Sequence, residues 1–419
     1  MSKSISYGLS SYSAVTTKNY LILFIFWPFL AFLLAIKNYW NEESRKVVYI
    51  FLIYYGLSFI IANESVDSFR YVLALKEHSL LPFSELFNIV GSLYTQNTID
   101  IFAPIVSFLI SRITTHHGIL FAVWVAIFGF FYLKSINLLY SRFVYSPDMN
   151  SLIFMSFFVL IIPVTAISGV RMPLASWVFF YGAYHVILKR DSKFLLVTLS
   201  SILIHWSFIT LNAILLIYYF AGNRNIIYMF LVIVSFILPN LMSPVFSSVA
   251  VFLGGPFQSR YESYSNETYI LNIQEWYSHE ASWFVGLSEN MIFFFFIFLI
   301  IYIKIFSKDF MNERSEKNLF SFILLFLSFI NFAQTIPTLG GRFRDIFYLF
   351  TTLYVFMYFL KVPSKNMNYL TIIGLFPMAL YAMIKFRIGS ETINAWIFTP
   401  GIGLPFMVPE LSLANLLFN

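Results

Sequence analysis

Apolar residues run along this chain in blocks rather than in alternating stripes. Blocks of spanning length fall at about 20–36, 47–62, 117–139, 150–167, 173–188, 194–207, 208–220, 226–242, 290–306, 318–336, 345–360 and 367–384. A helix needs roughly 20 residues to cross a bilayer core. Near-continuous apolar runs select helices over a barrel, whose strands alternate. The pattern predicts an all-α, polytopic integral membrane protein: about 12 transmembrane helices in a single membrane domain over residues 1–419. The stretch 194–220 is too long for one helix and short for two. It reads as two short or tilted helices joined near His205. The piece 101–113 is short, holds Pro104 and runs into Arg112 and His116-His117. It reads as an interfacial or re-entrant helix.

Composition supports this. Of 419 residues, 59% are hydrophobic and 11% charged, against about 25% charged in soluble domains. Lys and Arg collect in short loops (Lys37, Arg45, Lys46; Lys134, Arg142; Lys189, Arg190, Lys193; Arg224; Lys304, Lys308, Arg314, Lys317; Lys361, Lys365). That is the signature of cytoplasmic loops, so the net charge of +6 does not point to nucleic acid. The acidic segments, about 63–116 and 243–289, become two long outer-face loops. The Pro-broken segment 385–419 also falls outside, along the membrane surface. Residues 1–19 are polar and the first apolar run continues as a span, so no cleavable leader is expected. The absence of cysteine excludes disulfides and thiolate chemistry.

Charges at outer helix mouths carry the candidate chemistry. Arg171, in Ser168-Gly169-Val170-Arg171-Met172-Pro173, sits between two apolar runs. Pro173 suits a first helical turn, and Gly169 is read as the turn between the runs. An arginine there needs an anionic partner. The alternative is a side chain that snorkels to headgroups. Gly340-Gly341-Arg342-Phe343-Arg344-Asp345 offers two more guanidinium groups, unless Arg344 only pairs with Asp345 at a helix end. His205 reads as a base or as an interhelical donor. Asp67 and Arg70 lie one turn apart and either pair with each other or leave Asp67 to orient a sugar hydroxyl, with Tyr71 beside them. Asp100 is a similar, weaker candidate. Trp276, His279 and Glu280 stand in an aromatic-rich outer stretch that is either a membrane belt or a set of sugar-stacking faces. Adjacent histidines diverge on a helix, so His116-His117 does not suggest a metal. No P-loop, HExxH, GxSxG or Asp-x-Asp motif occurs, so neither a nucleotide nor a metal is needed.

In order, Asp67…Tyr71, Asp100…Pro104, Gly169-Val170-Arg171…Ala175, His205-Trp206-Ser207 and the later Arg342 or Arg344 resemble the EpsG-like and Wzy-type polysaccharide polymerases of bacterial membranes. The chain departs from that pattern at Ser65, where Gly is common, and at Ala103, where Glu often precedes the proline. The resemblance implies a polymerase of lipid-linked repeat units, of O-antigen or exopolysaccharide type, at the periplasmic face of the bacterial inner membrane. The growing glycan would leave undecaprenyl diphosphate for a hydroxyl of an incoming lipid-linked unit. In that scheme Arg171, Arg342 and Arg344 clamp the diphosphate, and His205, then Asp67, handle the acceptor hydroxyl. Arg70, Tyr71, Asp100, His279, Glu280 and Trp276 contact saccharide. The expected partners are lipid-linked oligosaccharides, membrane lipids and a chain-length-regulating membrane protein, with no cofactor, metal or nucleic acid. A flippase or transporter of the same lipid-linked saccharide stays open, as does another glycosyltransferase or ligase using it.

Overall fold

Breakers and caps set the helix boundaries. The computed structural model describes residues 17–63, 66–92, 100–143, 148–275, 282–307, 310–334, 337–361 and 365–418. The first apolar run breaks at Trp27-Pro28 into α1 (Thr17–Phe26) and α2 (Pro28–Lys37), because proline supplies no N–H to continue the ladder. Asn41 then caps α3 (Glu42–Leu57), its side chain accepting the Glu43 N–H at 3.1 Å. Three shorter helices follow: α4 (Asp67–Leu80), α5 (Glu85–Ser92) and α6 (Phe102–Ser111). Next come α7 (His117–Tyr140), α8 (Met149–Ile161) with its 3-10 continuation Val164–Gly169, and α9 (Arg171–Lys189). The 194–220 stretch is indeed two short helices, α10 (Leu195–Ile204) and α11 (Phe208–Ala221), parted at His205.

The run at 226–242 is broken as well. Its helix α12 (Asn225–Ile237) and the following helical segment bend by 107° at Leu238. The segment after it folds as α13 (Ser243–Leu253), α14 (Gly255–Ser265) and α15 (Glu267–Glu275). Four long helices complete the bundle: α16 (Trp283–Phe306), α17 (Arg314–Ala333), α18 (Pro337–Lys361) and α19 (Lys365–Gly389). Two short ones, α20 (Leu404–Met407) and α21 (Leu413–Phe418), end the described chain. Among the described residues the only extended pairing is an isolated bridge between Asn394 and Ser412.

The architecture is therefore all-helical, as expected, and among the described residues fewer than 12 helices reach spanning length by themselves. Among the described residues six helices are long and apolar enough to cross a membrane, or seven if the bent pair is one span. The difference is physical. Apolar run length does not register the breaks at Trp27 and Leu238, nor the polar and charged groups along α9.

Burial sorts the long helices into layers. The spanning windows of α17 and α18 are 89% and 83% buried, whereas those of α8, α16 and α19 are only 28–33% buried. The first two form the core, and the others turn apolar faces such as Phe294, Phe298, Ile372 and Phe376 outward, as lipid contact requires. α9 runs through the middle. Its Trp177 sits in an aromatic cluster with Tyr132, Phe158 and Phe180 at ring centroids of 5.0, 5.5 and 6.0 Å. Such pairs add about 0.5–1.5 kcal/mol each beyond burial. Close backbone approach fixes its neighbours: a Cβ on Gly182 would lie 2.6 Å from Thr198 of α10.

The C-terminal segment folds back against α1–α3. Gly401 N–H and Ile402 N–H donate to Phe26 O (2.6 Å) and Ile25 O (3.3 Å), and Trp27 Nε1 donates to Phe398 O (2.9 Å). The first two bonds satisfy carbonyls that the Pro28 break leaves without helical partners. α19 itself continues to Gly389, inside the stretch read as an outer segment.

Candidate functional site

α9 starts at a strained turn. The 3-10 segment ends at Gly169, and the next residue, fully buried Val170, takes φ 33 and ψ −69. Positive φ at a β-branched residue costs about 1–3 kcal/mol and tends to occur at functional sites. Val170, not Gly169, is therefore the special residue of this turn, and a Cβ on Gly169 would meet only Pro173 Cδ at 3.9 Å. Arg171 opens the helix and Pro173 lies in the first turn, where its missing N–H costs nothing.

Arg171 already has an anionic partner, and it is Asp100. Arg171 Nη1 donates to Asp100 Oδ2 at 2.5 Å. The break between α10 and α11 supplies two further groups. It frees the Trp206 N–H, which donates to Asp100 Oδ1 at 2.7 Å, and it places His205 Nδ1 3.5 Å from Asp100 Oδ2. That contact lies outside hydrogen-bond geometry, and among the described residues the buried Nδ1 has no hydrogen-bond partner beyond this charge contact. Burial raises the Asp100 carboxyl, but His205, Arg171 and the Trp206 N–H together hold it below the ordinary carboxylate range. Burial lowers the His205 imidazole despite the pull of Asp100. A charged carboxylate thus backs a neutral imidazole.

Asp67 opens α4 on the other side of the guanidinium. Its Oδ2 is 3.9 Å from Arg171 Nη2, and its Oδ1 accepts from Arg70 Nη1 at 3.3 Å. Tyr71, one turn later, packs edge-on against Trp124 at 5.0 Å. A cavity of about 370 Å³ opens in front of this cluster. Asp67, Arg171, His205, Arg342, Asp345 and Lys385 supply its charged and titratable wall.

Three expectations are corrected. Asp100, expected to touch saccharide, lies behind the wall with its side chain 6% exposed, because it is held by Arg171 and the Trp206 N–H. Arg344, expected at the diphosphate, turns away over the Phe293 ring at 4.9 Å. Asp345 does not pair with Arg344: it accepts from Tyr381 Oη at 2.5 Å and from Lys385 Nζ at 2.8 Å. Tyr381 and Lys385 were missed from sequence. Their i, i+4 spacing on α19 was the available signal. Arg342 does face the cavity, with its guanidinium 5.9 Å from the Tyr264 ring. His116 accepts the Gly118 N–H through Nδ1 at 3.1 Å, so it caps α7. Trp276, His279 and Glu280 lie outside the described residues.

The model of the EpsG family matches residues 63–397, which include every charged wall residue named above. The chain belongs to the EpsG family. EpsG-like proteins are Wzy-type polymerase-like, so this family member is a polysaccharide-polymerase-like membrane protein. Neither a curated protein nor a solved structure matches the chain.

Proposed function

We propose that this EpsG-family protein polymerises lipid-linked saccharide repeat units, moving the growing glycan from a lipid diphosphate to a hydroxyl of an incoming unit. The observation that carries the reading is the placing of Arg171, Arg342 and His205 on one cavity wall. In the transfer, the acceptor oxygen bonds to the donor's anomeric carbon. The anomeric carbon–phosphate oxygen bond breaks, and its electron pair leaves with the diphosphate. Negative charge grows on that leaving group, so fixed cations there stabilise the transition state more than the ground state. Arg171 Nη1 is committed to Asp100, which leaves Nη2 to turn to the diphosphate. Arg342 has no carboxylate within ion-pair reach among the described residues. Lys385 adds a third cation to the same wall. His205 Nδ1 faces Asp100, so Nε2 takes the acceptor's proton. Asp67 orients the hydroxyl.

We place the cavity at the periplasmic face. The support is the opposite end of the bundle, where Lys and Arg gather: Lys361 pairs with Glu316 at 2.7 Å, Arg142 donates to Tyr184 Oη at 2.8 Å, and Arg190 reaches Asn318 at 3.3 Å. The test is the product ladder from purified protein and lipid-linked repeat units, with and without a chelator. A chelator-insensitive ladder that Arg171→Lys abolishes supports the reading. Single-addition products alone would replace it with a ligase, and loss of external display in a deletion strain would replace it with a flippase.

A further inference from the structure

A second cavity, of about 400 Å³, lies beside the first. Two stretches of chain serve both. The end of α19 gives Ile388 and Gly389 to the first cavity and Arg387 and Glu391 to the second. The segment leading into α4 gives Ile60–Asn63 to the second, and Asp67 lines the first. The two spaces are therefore neighbours across a shared wall. The folded-back C-terminal segment closes the far side. It is held in place by Ile60 N–H on Thr392 O (3.1 Å), Leu413 N–H on Ile393 O (2.8 Å) and Ala414 N–H on Ser390 O (3.0 Å).

The chemistry of the two walls differs. The second is lined by Asn63, Arg387, Glu391, Glu410, Ser412 and Asn415. Its guanidinium is already paired: Arg387 Nη1 is 3.0 Å from Glu391 Oε1. One cation against two carboxylates makes a poor host for a diphosphate. Amides, carboxylates and a hydroxyl around one space match a polyol, which both donates and accepts. The volume falls within the range of small-molecule sites, about 300–1,000 Å³.

We propose that this second cavity is a glycan subsite, holding uncharged sugar residues of the growing chain while its lipid-linked end reacts next door. The proposal rests on the polymerase reading. Holding the chain raises its effective concentration at the first cavity without touching the reacting bond. The subsite therefore acts on product length rather than on each transfer.

Two measurements on the full-length protein test it. In the first, Asn415→Ala and Glu391→Gln are given lipid-linked repeat units. The expected result is a shorter ladder with the rate of the first condensation within about twofold of the unaltered protein, since no group at the reacting bond is removed. An unchanged ladder overturns the subsite, and so does a first-condensation rate that falls in step with length. In the second, glycan cleaved from its lipid is titrated into the detergent-solubilised protein. Asn415→Ala should weaken binding roughly tenfold, as the loss of a hydrogen bond or two to a sugar implies. Equal binding by the variant overturns the subsite. If the unaltered protein binds glycan but condenses nothing, the polymerase reading fails and the site stands.

Discussion

The two ends of α9 carry an arginine each, and they are built in opposite ways. At the lower end, Arg190 closes the helix in the left-handed conformation (φ 57), a usual device at a helix C-terminus. Its Nη2 meets Tyr218 Oη and Asn318 Oδ1, both at 3.3 Å, and its plane lies over the Tyr218 ring at 5.2 Å. Every one of these partners is neutral. At the upper end, Arg171 follows a buried valine forced to positive φ, rests on one carboxylate and approaches another, and borders a cavity. Of the two ends, the anionic partners and the open cavity belong to Arg171. A half-buried arginine is thus not by itself a sign of function. Anionic partners, backbone strain and an open volume together mark the difference.

The strongest way to break this comparison is to make the same change at both ends. Arg171→Lys keeps a charge against Asp100 but loses the planar fork. Polymer formation should fall by roughly a hundredfold or more, the scale of removing one transition-state donor, with insertion and yield intact. Arg190→Lys should leave the ladder unchanged and lower thermal stability by about 1 kcal/mol, the worth of an ordinary hydrogen bond. Equal losses of activity in both would erase the distinction.

Asp100→Asn separates the two jobs of that carboxylate. Asp100 favours the imidazolium form of His205, against burial, which disfavours it. Removing its charge should lower the histidine's pKa further. A base works when neutral, so the acid limb of the pH–rate profile should move to lower pH while the maximum rate falls. A limb that stays in place would mean that His205 is not the titrating base. A limb that moves upward would mean that Asp100 does not favour the charged form.

The arginines of α18 offer a smaller contrast. Arg342→Ala should raise KM for the lipid-linked donor roughly tenfold, as loss of a binding cation does. Arg344→Ala should leave KM alone and lower the melting temperature, because its guanidinium lies over Phe293 rather than in the cavity. The reverse pattern would exchange their roles.

How much of this was legible in the sequence depends on the range of each contact. Arg171, His205 and Arg342 each sit at a visible break in an apolar run, so local pattern exposes them. Asp100 gains its meaning from residues 71 and 106 positions away, and no local pattern encodes that pairing. Lys385 hides for the same reason: its partner Asp345 lies 40 positions back, on another helix. The expected spans outnumber the long described helices where the apolar pattern continues through a broken backbone. Trp27-Pro28 was readable as a break. Leu238 bends the chain within strongly apolar surroundings, where composition gives no warning, whereas the break at His205 was legible from the length of the 194–220 run.

The finest test lies between two glycines of the cavity wall. Sequence favours Gly169 as the critical one, because it lies two residues before Arg171. Geometry favours Gly389. A Cβ on Gly389 would fall 2.3 Å from Thr165 Oγ1 and 2.7 Å from Thr165 Cβ, so the 3-10 turn that leads to Val170 must shift. Overpacking of this kind costs about 1–3 kcal/mol, and the shift passes directly to the turn that aims Arg171. Gly169→Ala meets nothing closer than 3.9 Å. Gly389→Ala should therefore reduce polymer formation several-fold at unchanged expression, an effect smaller than those of Arg171→Lys and Arg342→Ala, and Gly169→Ala should be near neutral. If the two variants behave alike, the seam between α19 and the turn before α9 does not hold Arg171, and the strain at Val170 must be maintained from within α9 itself.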